Sequence, residues 1–121
     1  MTKILIVDDS DTERIHLKTL LKANGYEVVE ADDGVVSIDI YKREKPDVVL
    51  MDIVMWDMDG IEALEKIMEY DSDAKIIMIT AKGDKKTITK AIMDGALEFI
   101  TKPFDNEKIL HSINRILKRS L

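Results

Sequence analysis

A chain of 121 residues, 45% apolar and 35% charged, has the size and makeup of one globular domain, with room for a single core and none for a second module. Its net charge of −6 argues against nonspecific nucleic-acid binding, and the lack of cysteine excludes disulfides and thiolate metal sites. No apolar run reaches the roughly 20 residues of a membrane span, and Met1-Thr2-Lys3 leads straight into a strand-like run without a signal peptide's apolar core, so one cytoplasmic domain spanning residues 1–121 is expected.

Five short runs rich in β-branched residues alternate with longer amphipathic stretches. Ile4–Val7 is the first run and ends at Asp8-Asp9. Ser10-Asp11-Thr12-Glu13 then has the form of a capping box and opens a helix that Asn24-Gly25 closes. Glu27–Val29 is a mixed run, expected as an outer strand. Asp33-Gly34 starts a second helix with Val36, Ile40 and Tyr41 on one face, and Lys45-Pro46 stops it. Val48–Met51 follows and ends at Asp52. Ile61, Leu64, Ile67 and Met68 stripe a third helix. Ile76–Ile79 ends at Thr80, and Ile88, Ala91 and Ile92 stripe a fourth helix. Leu97–Ile100 leads to Lys102-Pro103. A fifth helix carries Ile109, Ile113, Ile116 and Leu117, with Asp105, Asn106 and Glu107 at its start and Lys118-Arg119 at its end, charges that suit the helix dipole.

The strand runs are too apolar for a sheet with one wet face and fit parallel strands covered on both sides. The alternation predicts a (βα)5 chain, an α/β fold whose right-handed crossovers place helices on both faces of the sheet. In such a sheet the carboxyl ends of the strands share one edge, where ligands bind. Asp8, Asp9, Asp52, Thr80 and Lys102 would then converge from distant parts of the chain.

Each of these groups alone reads blandly: an acid pair ahead of a helix, a threonine closing a strand, a lysine before a turn proline. Their coincidence on one rim points to phosphoryl chemistry. Mg²⁺ takes one or two carboxylates and completes its octahedron with water and carbonyls. A carboxylate can attack phosphorus to form an aspartyl phosphate. The metal and an ammonium group offset the repulsion between the two anions. Lys102 can supply the ammonium, and the Thr80 hydroxyl can donate to a phosphoryl oxygen.

The set Asp8-Asp9, Asp52-Ile53-Val54-Met55-Trp56-Asp57-Met58-Asp59-Gly60, Thr80-Ala81 and Lys102-Pro103-Phe104 resembles the receiver domain of two-component response regulators over essentially the whole chain. The resemblance implies a flavodoxin-like, doubly wound, five-stranded parallel sheet of strand order 2-1-3-4-5. It also implies transfer of a phosphoryl group from a histidine kinase to Asp52, with Mg²⁺ as cofactor. Asp9, Asp52 and the Val54 carbonyl would ligate the metal directly, and Asp8 through a bound water. Lys102 would pair first with Asp52 and then with the phosphoryl group, and the Lys102-Pro103 bond would be cis. Thr80 and Phe99 match the family's switch pair: Thr80 moves to the phosphoryl group and Phe99 turns into the space vacated. The surface of the fourth helix, fifth strand and fifth helix would change and recruit a partner.

Trp56 departs from the family, which commonly has proline there; it reads as a tolerated surface substitution. Val54 and Lys82 occupy the two positions that tune hydrolysis of the phosphorylated form. Val54 has no polar group to orient water, so phospho-Asp52 is not expected among the fastest to hydrolyse. His16 and His111 lie within helices without a second ligand type and read as surface or packing residues. Met51, Met68 and Met78 read as core.

The expected role is a signalling switch rather than a turnover enzyme, leaning to the chemotaxis type. Its partners would be a histidine kinase and an effector such as a flagellar switch component or a phosphotransfer protein, with no direct nucleic-acid or membrane contact. A monomer is expected, with dimerisation through the last two helices left open. The alternatives are a phosphorelay intermediate and a phosphorylation-independent scaffold. An aspartyl-phosphate phosphatase would need an aspartate where Val54 stands. A dinucleotide or P-loop module would need clustered glycines, and the five glycines are isolated.

Overall fold

A computed structural model describes residues 1–56, 58–81 and 85–119, the last by its backbone alone. Asp57 and Lys82, both noted above, and the Arg119 side chain lie outside the described residues. The order of elements is β1 (Lys3–Val7), α1 (Asp11–Ala23), β2 (Glu27–Ala31), α2 (Gly34–Glu44), β3 (Val48–Asp52), α3 (Gly60–Tyr70), β4 (Ile76–Thr80), α4 (Lys85–Met93), β5 (Glu98–Thr101) and α5 (Asn106–Arg119). The five strands form one parallel sheet in the order β2-β1-β3-β4-β5. The (βα)5 alternation and the 2-1-3-4-5 order are therefore both as expected.

The pleat divides the apolar strand residues between two cores, because successive side chains point to opposite faces. Leu5, Val7, Val49, Met51, Ile76 and Met78 pack on Ile40, Leu64, Ile67 and Ala91 of α2, α3 and α4. Ile4, Ile6, Val48, Leu50, Ile77 and Ile79 pack with Leu17, Leu21, Ile109, Ile113 and Ile116 of α1 and α5. Burial on both faces explains why these strands read as continuous apolar runs.

Three details differ from the sequence reading. Asp52 and Thr80 are the last residues inside their strands, paired with Ile79 and Thr101, rather than the first residues beyond them. Val36 and Ile92 are largely exposed, and α4 buries only Ala91; their helices turn a narrower stripe inward than the pattern predicts. The capping box at α1 is half formed. Ser10 Oγ accepts from the Glu13 amide at 3.3 Å, but the Ser10 amide donates to Asp8 Oδ1 at 2.9 Å. The Glu13 side chain is thereby released from the cap.

Backbone contacts fix the end of β3. The Gly60 amide donates to the Ile53 carbonyl at 2.7 Å. A Cβ on Gly60 would lie 2.1 Å from the Asp52 carbonyl oxygen, so only glycine lets α3 begin so close to the strand. Asp59 caps that helix by accepting from the Glu62 amide at 2.8 Å.

Candidate functional site

The register places the chemistry. Val7 pairs with Met51, Met51 with Met78 and Met78 with Phe99, so the strands end nearly level at their carboxyl edge. Asp8 leaves β1 and Asp52 ends β3, 3% and 6% exposed, and Thr80 ends β4 fully buried. The Lys102 amide donates to the Thr80 carbonyl at 2.8 Å, which brings its side chain back over the rim. Lys102 Nζ lies 3.4 Å from Asp52 Oδ2 and 3.8 Å from Asp8 Oδ2. Its nearest partner is Glu13 Oε2, at 2.5 Å. The Lys102-Pro103 bond is cis, as expected.

These groups perturb one another. Burial pushes the Asp8 carboxyl up to about 7, reinforced by its hydrogen bond to Glu13 and the charge of Asp52. That same bond from Asp8, with Lys102 adding to it, holds Glu13 below the usual carboxylate range. Burial raises Asp52, and the Lys102 charge partly offsets it. Burial works against the Lys102 ammonium, but Glu13, Asp52 and Asp8 together outweigh it and raise its pKa. Among the described residues, carboxylate charge is crowded into a largely buried rim against the Lys102 ammonium.

Among the described residues, Asp8, Glu13 and Asp52 each bring an oxygen within 4.8 Å of the others. Hard oxygen donors at that spacing fit a divalent cation such as Mg²⁺, and a cation would relieve the crowding that lifts Asp8. Asp9, the acid expected to ligate directly, is not in this trio. It is exposed, and its Oδ2 accepts from the Trp56 amide at 2.9 Å. Glu13 was read from the sequence only as part of a helix cap. Its position in the first turn of α1, four residues after Asp9, was the available signal.

The remaining candidates sit as follows. Val54 is exposed on the loop after β3, and its amide hydrogen-bonds the Asp52 carboxylate. Phe99 is 39% exposed on β5 rather than packed inward. Trp56 is 90% exposed, and its backbone rather than its ring enters the site. His16 Nε2 lies 2.9 Å from Asn106 Oδ1, and His111 is exposed. Met51 and Met78 are fully buried and Met68 partly so. Beside the rim, Glu13, His16, Ala81, Lys102 and Phe104 line an open groove of about 520 Å³. No helix among the described residues is long and apolar enough to cross a membrane.

The model of the response regulator receiver domain matches residues 4–114. The chain belongs to the response regulator receiver domain family. Among similar proteins, the chemotaxis protein CheY of Bacillus subtilis is 46% identical over 116 residues, 95% of this chain and 97% of its own length. A CheY-like receiver domain from Methanospirillum hungatei superposes with a TM-score of 0.95 at 30% identity, covering 98% of this chain and 95% of that one. A chain from the CheX–CheY–BeF3–Mg complex of Borrelia burgdorferi superposes at 0.92 with 35% identity, covering 96% and 89%. The response regulator receiver family is a family of two-component signalling, and a receiver of this CheY-like type is a signalling switch.

Proposed function

We propose that this receiver domain accepts a phosphoryl group on Asp52 from the phosphohistidine of a histidine kinase, and that phosphorylation changes the α4-β5-α5 surface to recruit an effector protein. The observation that carries this reading is the buried Asp52 carboxylate with the Lys102 ammonium 3.4 Å away at the carboxyl edge of the sheet. In the transfer an Asp52 oxygen forms a bond to phosphorus as the phosphorus–nitrogen bond of the donor breaks, and the imidazole keeps the bonding pair. Lys102 pairs with the phosphoryl oxygens, and the Thr80 hydroxyl donates to one of them. Mg²⁺, held by Asp9, Asp52 and the Val54 carbonyl with Asp8 acting through water, would offset the repulsion between the carboxylate and the phosphoryl group. Asp9 joins that set when its side chain turns from the Trp56 amide.

The α4-β5-α5 side offers what a switch surface needs. Ile92, Met93, Leu97 and Phe99 are exposed there, and the outward Phe99 has a position to leave. The likeness to CheY proteins supports a chemotaxis role, and the CheX–CheY neighbour supports an effector that is itself a protein. A flagellar switch component or a phosphotransfer protein fits that description.

Intact mass after incubation with acetyl phosphate tests the reading. A gain of one phosphoryl group that needs Mg²⁺ and is lost in Asp52→Asn is expected. No gain under any condition would turn the choice to a phosphorylation-independent scaffold.

A further inference from the structure

Lys102 is the ammonium that the proposed transfer needs at Asp52, yet in the resting protein it lies closest to Glu13. The separations are 2.5 Å to Glu13 Oε2, 3.4 Å to Asp52 Oδ2 and 3.8 Å to Asp8 Oδ2. Glu13 is free to reach across because Asp8 Oδ1 has taken the Ser10 amide that a complete capping box would give to Glu13. Two neighbouring acids thus divide the work: Asp8 closes the helix start, and Glu13 spans 89 residues of sequence to the lysine. A short charge-assisted contact of this kind is stronger than a longer one, so of the two bonds the ammonium makes, the one to Glu13 at 2.5 Å is stronger than the one to Asp52 at 3.4 Å.

We propose that Glu13 is a latch for Lys102: in the resting state it draws the ammonium towards itself, at 2.5 Å against 3.4 Å to Asp52, and its release accompanies arrival of the phosphoryl group. This deepens the phosphotransfer reading and rests on it. Glu13 touches no reacting atom and acts through the lysine, so it is a positioning residue. The phosphoryl group wins the lysine because it adds charge and several acceptor oxygens at one point. The latch therefore slows phosphoryl uptake and adds nothing to the phosphorylated state.

Three linked measurements test it, on Glu13→Gln and on Glu13→Ala as a second variant, with urea unfolding to check that both fold. Ammonium-detected nitrogen NMR of the metal-free protein should show a protected Lys102 signal that both variants lose; an unaltered signal overturns the latch whatever the phosphorylation result. At saturating Mg²⁺ the rate of phosphorylation by acetyl phosphate should rise about fivefold in Glu13→Gln, the scale of a partly exposed ion pair. In a Lys102→Ala background the same substitution should leave the rate unchanged. An equal acceleration there would mean general relief of anion repulsion and would overturn the latch. A fall of about 10-fold or more in Mg²⁺ affinity would make Glu13 a metal-site residue instead. If the wild-type protein gains a phosphoryl group and Glu13→Gln matches its rate, the latch alone fails. If the wild-type protein gains none, both readings fail together.

Discussion

Strands β3 and β5 both end in the candidate site, but they are built differently. Every residue of β3 is buried, and the strand lies between β1 and β4 under helices on both faces. Strand β5 is one of the sheet's two edges and buries only Ile100. Its Glu98 carboxylate is held from α5 by Ser112 and, at 2.6 Å, by Arg115, while Phe99 faces outward. The difference teaches that the site has a deeply buried half and a half at the edge of the sheet. Asp52 sits in the packed centre of the sheet, and Phe99 and Lys102 sit on and just after its less buried edge strand. A switch needs that division, because regions that move are drawn from the less stable parts of a fold.

The sharpest way to break the comparison is a truncation in each strand, Leu50→Ala in β3 and Phe99→Ala in β5. Leu50→Ala in the middle of β3 should cost about 3 kcal/mol, the usual toll of a cavity in a packed core. Gly60→Ala comes next, at about 2 kcal/mol, because its new methyl meets the Asp52 carbonyl and must push α3 from the strand. Both are read by urea unfolding, and Gly60→Ala should also slow phosphorylation of Asp52.

A middle-sized effect concerns protons. Asp8 has a folded pKa raised to about 7 from an ordinary value of 3.8. Its contribution to the metal-free protein's stability is full below that ordinary value and is lost as pH rises through about 7. A cation needs the ionised form, so Mg²⁺ binding expels the proton. Mg²⁺ affinity, measured by titration with a chelator competitor, should fall towards tenfold per pH unit below about 7 and flatten above it. Asp8→Asn should weaken binding and abolish that slope. The smallest effect belongs to the edge: Phe99→Ala should cost under about 1 kcal/mol. A loss as large as that of Leu50→Ala would erase the distinction between the two strands.

The fold was legible because strands buried on both faces must be continuous apolar runs, as Ile4–Val7, Val48–Met51 and Ile76–Ile79 are. The convergence of Asp8, Asp52, Thr80 and Lys102 followed from the rule that parallel strands end together. Other features were not legible for physical reasons. Asp8 and Asp9 are equivalent on paper, and only the direction in which each leaves β1 makes one buried and the other exposed. Glu13 was hidden because a glutamate three residues after Ser10 satisfies a local rule. Its release depends on Asp8 having already bonded the Ser10 amide, a contact that spacing does not reveal. Val36 and Ile92 carry the helical period of a core face, but the width of that face depends on the neighbouring elements.

The strand order has one more consequence, for a chain emerging from the ribosome. The central strands β1 and β3 and their neighbour β2 are all synthesised by Asp52. Asp8, Glu13 and Asp52 are therefore all made before Lys102, which lies 50 residues later than Asp52. A domain folds as a unit, so these acids wait for the last part of the chain to be made. Docking of β5 delivers the missing positive charge and seals the edge at the same time. The last strand to be made is thus the one that brings the lysine to the acids, and a chain that stalls before it would leave the apolar strand β4 as its open edge.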